Sequence, residues 1–225
     1  MVARVTTRER ILDASRRLFN KKGYAATTLA EIAASIGIVQ GNLTYHFPTK
    51  RQIVAELQRR MSEQVQEQRE LHQGGTVTDD YVDLLLFAMN HVSENRFLLR
   101  DRAQFADEIP SAPIAVEMQD DLKALRGLLQ RAWDNDLFRR DIDIDLDVLA
   151  RSLWIISRFW MDHLREFDDL KRDSWTDIQQ GIEHHFATLY PFLTVSAKEE
   201  FKSALERASI LSTSLRGTPV PAAAK

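Results

Sequence analysis

Residues 27–50 read TTLAEIAASIGIVQGNLTYHFPTK, and their spacing decides the fold. Thr28 and Glu31 stand three apart, the separation of a capping box at a helix start. Leu29, Ile32, Ala33 and Ile36 then follow the i, i+3, i+4, i+7 repeat of a helix with one apolar face, and Gly37 ends it. After a turn of three or four residues comes a second short helix, about 39–46. Val39, Leu43 and Phe47 are its expected inward anchors, and Pro48 is its stop. Two short helices joined by a tight glycine-containing turn form a helix-turn-helix, whose second helix enters a DNA major groove. The residues of GNLTYHF that face away from Leu43 and Phe47 are poor core material. They are read as facing DNA instead.

The same grammar extends outward. Thr6 and Glu9 repeat the capping box before a helix that carries Ile11, Leu12, Ser15, Leu18 and Phe19 on one side and ends at Gly23. Thr49 and Gln52 open a long helix to about residue 70, with Ile53, Leu57, Met61 and Val65. Helical spacing predicts further helices at 77–97, 114–135, 146–169, 174–193 and 197–214, separated by breaks at 72–78, 107–113 and 136–145. No stretch reads as a strand or an internal repeat, so the fold class is all-α. The expected organisation is a helix-turn-helix domain over 1–50, a helical body over 51–215 and a disordered tail over 216–225.

Composition narrows the function. The 225 residues contain no cysteine, which excludes disulfides, thiolate metal sites and cysteine nucleophiles. No apolar run approaches the roughly 20 residues of a membrane span, and MVARVTTRER lacks the apolar segment of a signal peptide. A soluble cytoplasmic protein without membrane association is expected. The net charge of −3 hides an asymmetry: residues 1–60 hold 11 Lys and Arg against 4 Asp and Glu, and the rest hold 19 against 29. A basic head on an acidic body suits a polyanionic partner for the head. Asp141, Asp143, Asp145 and Asp147 lack the glycine and the final glutamate of a calcium loop; they read as a solvated linker whose last Asp caps the next helix. The adjacent His184 and His185 make a poor chelate. No metal, cofactor or catalytic motif is expected.

Residues 7–57 resemble the DNA-binding domain of the TetR family of bacterial transcriptional regulators. The matching segments are ILDASRRLFNKKGY, TTLAEIAASIG and GNLTYHFPTKRQIV. The resemblance implies a homodimer on a palindromic double-stranded DNA operator, a repressor role, and release by a small-molecule effector. It places Gln40, Gly41 and Thr44 at bases, with Val39 and Asn42 beside them, and Thr28, Tyr45, His46 and Lys50 at phosphates. Two positions depart from the family pattern: Val39 stands where Ser or Thr is common, and Thr44 where tyrosine is common. Thr44 shares a helical face with Gln40 and can offer a base either a hydroxyl bond or a methyl contact.

In the body, helices 146–169 and 174–193 carry more apolar residues than one face needs. With the resemblance, this makes them the expected dimer interface through Leu153, Trp160, Ile182, Phe186 and Leu189. Phe87, His91, Phe105, Met118, Trp133, Trp154, Arg158 and His163 are the candidates for lining an effector pocket. Helix 50–70 joins head to body and is the expected lever between them. The competing reading is an all-helical enzyme or binding protein whose head is only structural. Salt-sensitive binding to a palindromic fragment separates the two.

Overall fold

The computed structural model describes residues 5–71, 75–105, 112–167 and 175–216. Ten α-helices account for most of them: α1 (Thr7–Lys22), α2 (Leu29–Ser35), α3 (Gln40–His46), α4 (Lys50–Leu71), α5 (Val77–Glu94), α6 (Phe97–Arg100), α7 (Ala112–Asp134), α8 (Leu146–Phe167), α9 (Trp175–Leu189) and α10 (Val195–Arg216). The only extended pairing among the described residues is an isolated bridge between Phe138 and Leu193. The all-α expectation therefore holds. Two expected helices are each divided. The one at 77–97 breaks at Asn95 and Arg96 before α6, and the one at 174–193 passes into a 3-10 turn over Tyr190–Phe192, where Pro191 cannot continue it. The expected tail lies almost wholly outside the described residues.

The chain forms two compact units. One comprises residues 1–71, 90–119 and 161–173; the other comprises 72–89, 120–160 and 174–225. The first therefore extends beyond the expected 1–50 head. Its core joins Ile11, Leu12 and Phe19 of α1 to Ile32 of α2, Leu43 of α3, Phe47, and Ile53 and Leu57 of α4. Phe97 and Leu98 of α6, with Phe105, belong to the same cluster. Burying a side chain of this kind stabilises by about 1.5–3 kcal/mol, so short helices that would be marginal alone are held in place by packing.

The caps of this unit match the sequence. Thr6–Glu9 and Thr28–Glu31 are complete reciprocal capping boxes. Gly23 and Gly37 take φ values of 98° and 70°, which a side chain would strain. Val39 departs from expectation. It is the N-cap of α3, makes no side-chain cap bond and is 74% exposed, so it does not anchor the helix. Its extended backbone, with ψ of 148°, takes its side chain off the face that Leu43 buries.

The second unit is built around Tyr81, Leu85 and Met89 of α5, Leu153 of α8, Phe186 and Leu189 of α9, and Phe201 of α10, all buried. The Tyr81 and Phe186 rings each pack on Phe201, at 5.3 and 5.7 Å between centroids. Gly181 permits close packing: a Cβ there would collide with the Met89 methyl and lie 2.6 Å from Trp160 Cδ1. Within this core the Tyr81 hydroxyl and His185 Nε2 are 2.8 Å apart. Burial holds His185 neutral, down to about 3, with the Leu153 backbone opposing more weakly.

Most residues of the expected dimer surface lie in this core. Leu153, Ile182, Phe186 and Leu189 are buried inside the single chain, and the partly buried Trp160 donates its indole N–H to the Asp177 carbonyl at 2.7 Å. The apolar surplus of α9 is absorbed by α5 and α10 of the same unit. The large apolar residues left outward on α8 are Val148, Ile155 and Phe159, at 61, 48 and 40% exposure. A correction concerns the aspartate run. Asp145, not Asp147, caps α8, accepting from the backbone N–H groups of Asp147 and Val148 at 2.9 and 3.0 Å. Asp147 instead pairs with Arg126 at 2.7 Å.

Candidate nucleic-acid interface

Helix α3 is two-sided. Leu43 is fully buried and Phe47, its C-cap, nearly so, while Gln40, Gly41, Asn42 and Tyr45 are exposed. Tyr45 is the extreme case at 84% exposure, its ring set edge-on to His46 at 5.3 Å. A large aromatic left this open on a helix held from behind by a packed core is available to a partner. Thr44 is partly exposed. Its hydroxyl donates back to the carbonyls of Gln40 and Gly41, at 3.2 and 3.1 Å. Gly41 has an ordinary backbone, and beyond its chain neighbours and the helix's own backbone nothing lies within 4 Å of where a Cβ would stand.

Thr28 is exposed at the start of α2. Its hydroxyl donates to Glu31 at 2.9 Å and accepts the Glu31 N–H at 3.2 Å. The Lys22 ammonium, followed by the Thr28 backbone and hydroxyl, holds the Glu31 carboxyl down to about 2. In the free chain the Thr28 proton is thus committed to the cap.

Lys50 is more constrained than a phosphate ligand needs to be. Its ammonium donates to the carbonyls of Tyr24 and Thr27, both at 2.7 Å, and stands 4.4 Å from the centre of the Tyr24 ring. Partial burial lowers its pKa, with Glu31 opposing. One of its three protons is left for any further acceptor.

Sequence reasoning missed the network behind this turn. The Tyr24 N–H donates to Asp101 at 2.8 Å, and the Ala25 N–H to Gln104 at 3.0 Å. Arg100 is clasped by Asp101 at 2.7 Å and also donates to the Phe19 and Asn20 carbonyls at the end of α1. Asn20 in turn accepts the Phe97 N–H at 3.1 Å. The Tyr24 ring meets Phe105 edge-on at 5.4 Å. Apart from the adjacent Arg100 and Asp101, these partners lie 77–81 positions apart, beyond the reach of any local period. The segment 97–105 therefore braces the α1–α2 turn.

Phe105 is accordingly part of the core of this unit. The other effector candidates divide: His91, Met118 and His163 belong to the same unit as Phe105, and Phe87, Trp133, Trp154 and Arg158 to the other. His163 is exposed, and Trp133 lies under the Arg140 guanidinium at 4.1 Å.

Comparison with known proteins bears directly on this arrangement. Residues 11–57 match the family model described as bacterial regulatory proteins, tetR family, and residues 56–201 match one described as bacterial transcriptional repressor. The chain belongs to the TetR family. Among curated TetR-family relatives, the transcriptional repressor KstR2 of Mycolicibacterium smegmatis is 25% identical over 161 residues, 68% of this chain and 78% of that protein. The regulator AcrR of Shigella flexneri is 28% identical over 167 residues, 71% of this chain and 77% of that protein. A TetR-family regulator from Marinobacter aquaeolei VT8 shares the fold with a TM-score of 0.71 at 24% identity, covering 90% of this chain and 98% of that one. TetR-family proteins are DNA-binding transcription factors and not enzymes, and this chain is a DNA-binding transcriptional regulator. Among the described residues no helix is long and apolar enough to cross a membrane.

Proposed function

We propose that the chain is a homodimeric repressor that binds a palindromic operator through α3 and leaves it when a small molecule binds the helical body. The observation that carries this reading is the two-sided α3: Leu43 fully buried behind, and Gln40, Gly41, Asn42 and Tyr45 open in front. Gln40, Gly41 and Thr44 are assigned to the bases, with Val39 and Asn42 beside them on the DNA-facing side. Thr28, Tyr45 and His46 are assigned to phosphates. Lys50 is assigned chiefly to bracing the turn that presents Thr28, with one proton left for a phosphate.

The dimer is assigned to the outward stripe of α8, where Val148, Ile155 and Phe159 fall on one helical face with Ser152 between them. Release follows if the effector binds the DNA-incompetent arrangement better than the competent one. The test is selection of bound fragments from the source genome, followed by transcription from the recovered promoters with and without the chain. Enrichment of symmetric sites whose promoters fall silent supports the reading. Transcription rising with the chain would make it an activator.

A further inference from the structure

We propose that Gly41 and Thr44 form one methyl-reading step on α3, and that its ligand is the C5-methyl group of a thymine in the operator major groove. This rests on the reading of α3 as the DNA-facing helix and adds the chemistry of one contact.

Gly41 is a glycine that the chain itself does not require. Gly23 and Gly37 take positive φ; Gly41 does not. Beyond its chain neighbours and the helix's own backbone, no atom stands within 4 Å of the position its Cβ would occupy, so internal crowding does not call for glycine either. Glycine in a helix is less favourable than alanine. What the missing Cβ provides is room in front of the helix, for a partner that approaches the backbone.

Thr44 lies one turn on, on the same face. Its single hydroxyl proton is shared between the Gln40 and Gly41 carbonyls, at 3.2 and 3.1 Å, a back-bond common for threonine in helices. That proton is therefore not available to guanine O6 or N7, nor to thymine O4. With its proton given to the backbone, the hydroxyl can only accept, and the γ-methyl is the group of this side chain that can meet an apolar one. A bare backbone next to a methyl makes a shallow apolar step beside the amide of Gln40. Of the groups on the major-groove edge, the thymine methyl is the apolar one.

The experiment uses the full chain and a duplex it selects from a random pool. Each thymine is replaced in turn by uracil, which removes only the methyl. Thr44→Val keeps the methyl and loses the hydroxyl; Thr44→Ser does the reverse. For the unsubstituted chain, uracil at one symmetric pair of positions should weaken binding about four-fold per methyl, roughly fifteen-fold for the pair. The Val variant should keep that sensitivity, and the Ser variant should bind the thymine and uracil duplexes alike. Absence of any uracil-sensitive pair overturns the proposal. So does a Ser variant that stays fully sensitive, or a Val variant that loses its preference, which would give the recognition to the hydroxyl. A chain that does not distinguish the selected duplex from a scrambled one fails earlier, at the DNA reading, and takes this proposal with it.

Discussion

The Lys50 ammonium stands 4.4 Å from the centre of the Tyr24 ring and donates at 2.7 Å to the Tyr24 carbonyl. Tyr24 is held from its other side by Asp101, which accepts its N–H at 2.8 Å. The turn that leads into α2 is thus gripped by α4 and by the segment after α6. Lys50→Ala should lower folding stability by at least about 2 kcal/mol, since a hydrogen bond to a charged group contributes about 1.5–3 kcal/mol and the ammonium makes two. Chemical denaturation checks this. A lysine that served only a phosphate would leave stability unchanged and flatten the salt dependence of DNA binding by about one unit of slope.

Gly41→Ala should separate stability from function. With open space at the Cβ position, the variant should be more stable by about 0.5 kcal/mol. Operator affinity should fall by at least about tenfold, or ~1.4 kcal/mol, as the new methyl meets the duplex. Thermal melting and a binding isotherm on the same sample check both. Equal affinity with higher stability would show that the face does not approach DNA closely.

The dimer surface distinguishes two sets of residues. Ile155→Asp and Phe159→Asp, on the exposed stripe of α8, should give folded monomers in sedimentation. Phe186→Asp should instead unfold the chain, because it removes a buried ring, worth about 3–5 kcal/mol, and leaves an unpaired charge. Dimers that persist in both α8 variants would place the interface elsewhere.

The sequence made the local rules visible and hid the distant ones. The capping pairs Thr6–Glu9 and Thr28–Glu31, the glycine stops and the buried stripe of Ile32 and Leu43 all act within a few residues of themselves, so spacing exposed them. The face that α9 turns to a neighbour is different. Phe186 is apolar whether it meets a second copy or Phe201 of its own chain, and no period tells these apart. Asn20, Tyr24, Arg100 and Asp101 look like ordinary surface residues until the fold brings them together. Val39 differs for a smaller reason: the helical repeat in the sequence runs one residue past the helix, onto an N-cap whose extended backbone leaves the buried face.

His185 sets a pH dependence. Its pKa is held at about 3, below the ordinary 6.5, so the unfolded chain binds a proton that the folded chain refuses between those values. Stability contributed by the neutral ring is complete above pH 6.5 and is lost as pH falls toward 3, with a slope of up to about 1.4 kcal/mol per pH unit from this group. Denaturation midpoints over that window should fall more steeply for the unsubstituted chain than for His185→Gln. Parallel profiles would mean that His185 takes up its proton without unfolding.

The account stands or falls on whether α3 meets DNA as one of a symmetric pair. The direct test is a set of binding isotherms for the full chain on its selected duplex, on the same duplex with one half-site scrambled, and on unrelated DNA, each over a series of salt concentrations. The account predicts half-sites about one helical turn apart, or roughly 34–36 Å, a large loss on scrambling either half, and affinity that falls linearly in log–log form as salt releases phosphate counterions. Binding that is indifferent to salt, or equal on all three duplexes, would contradict it.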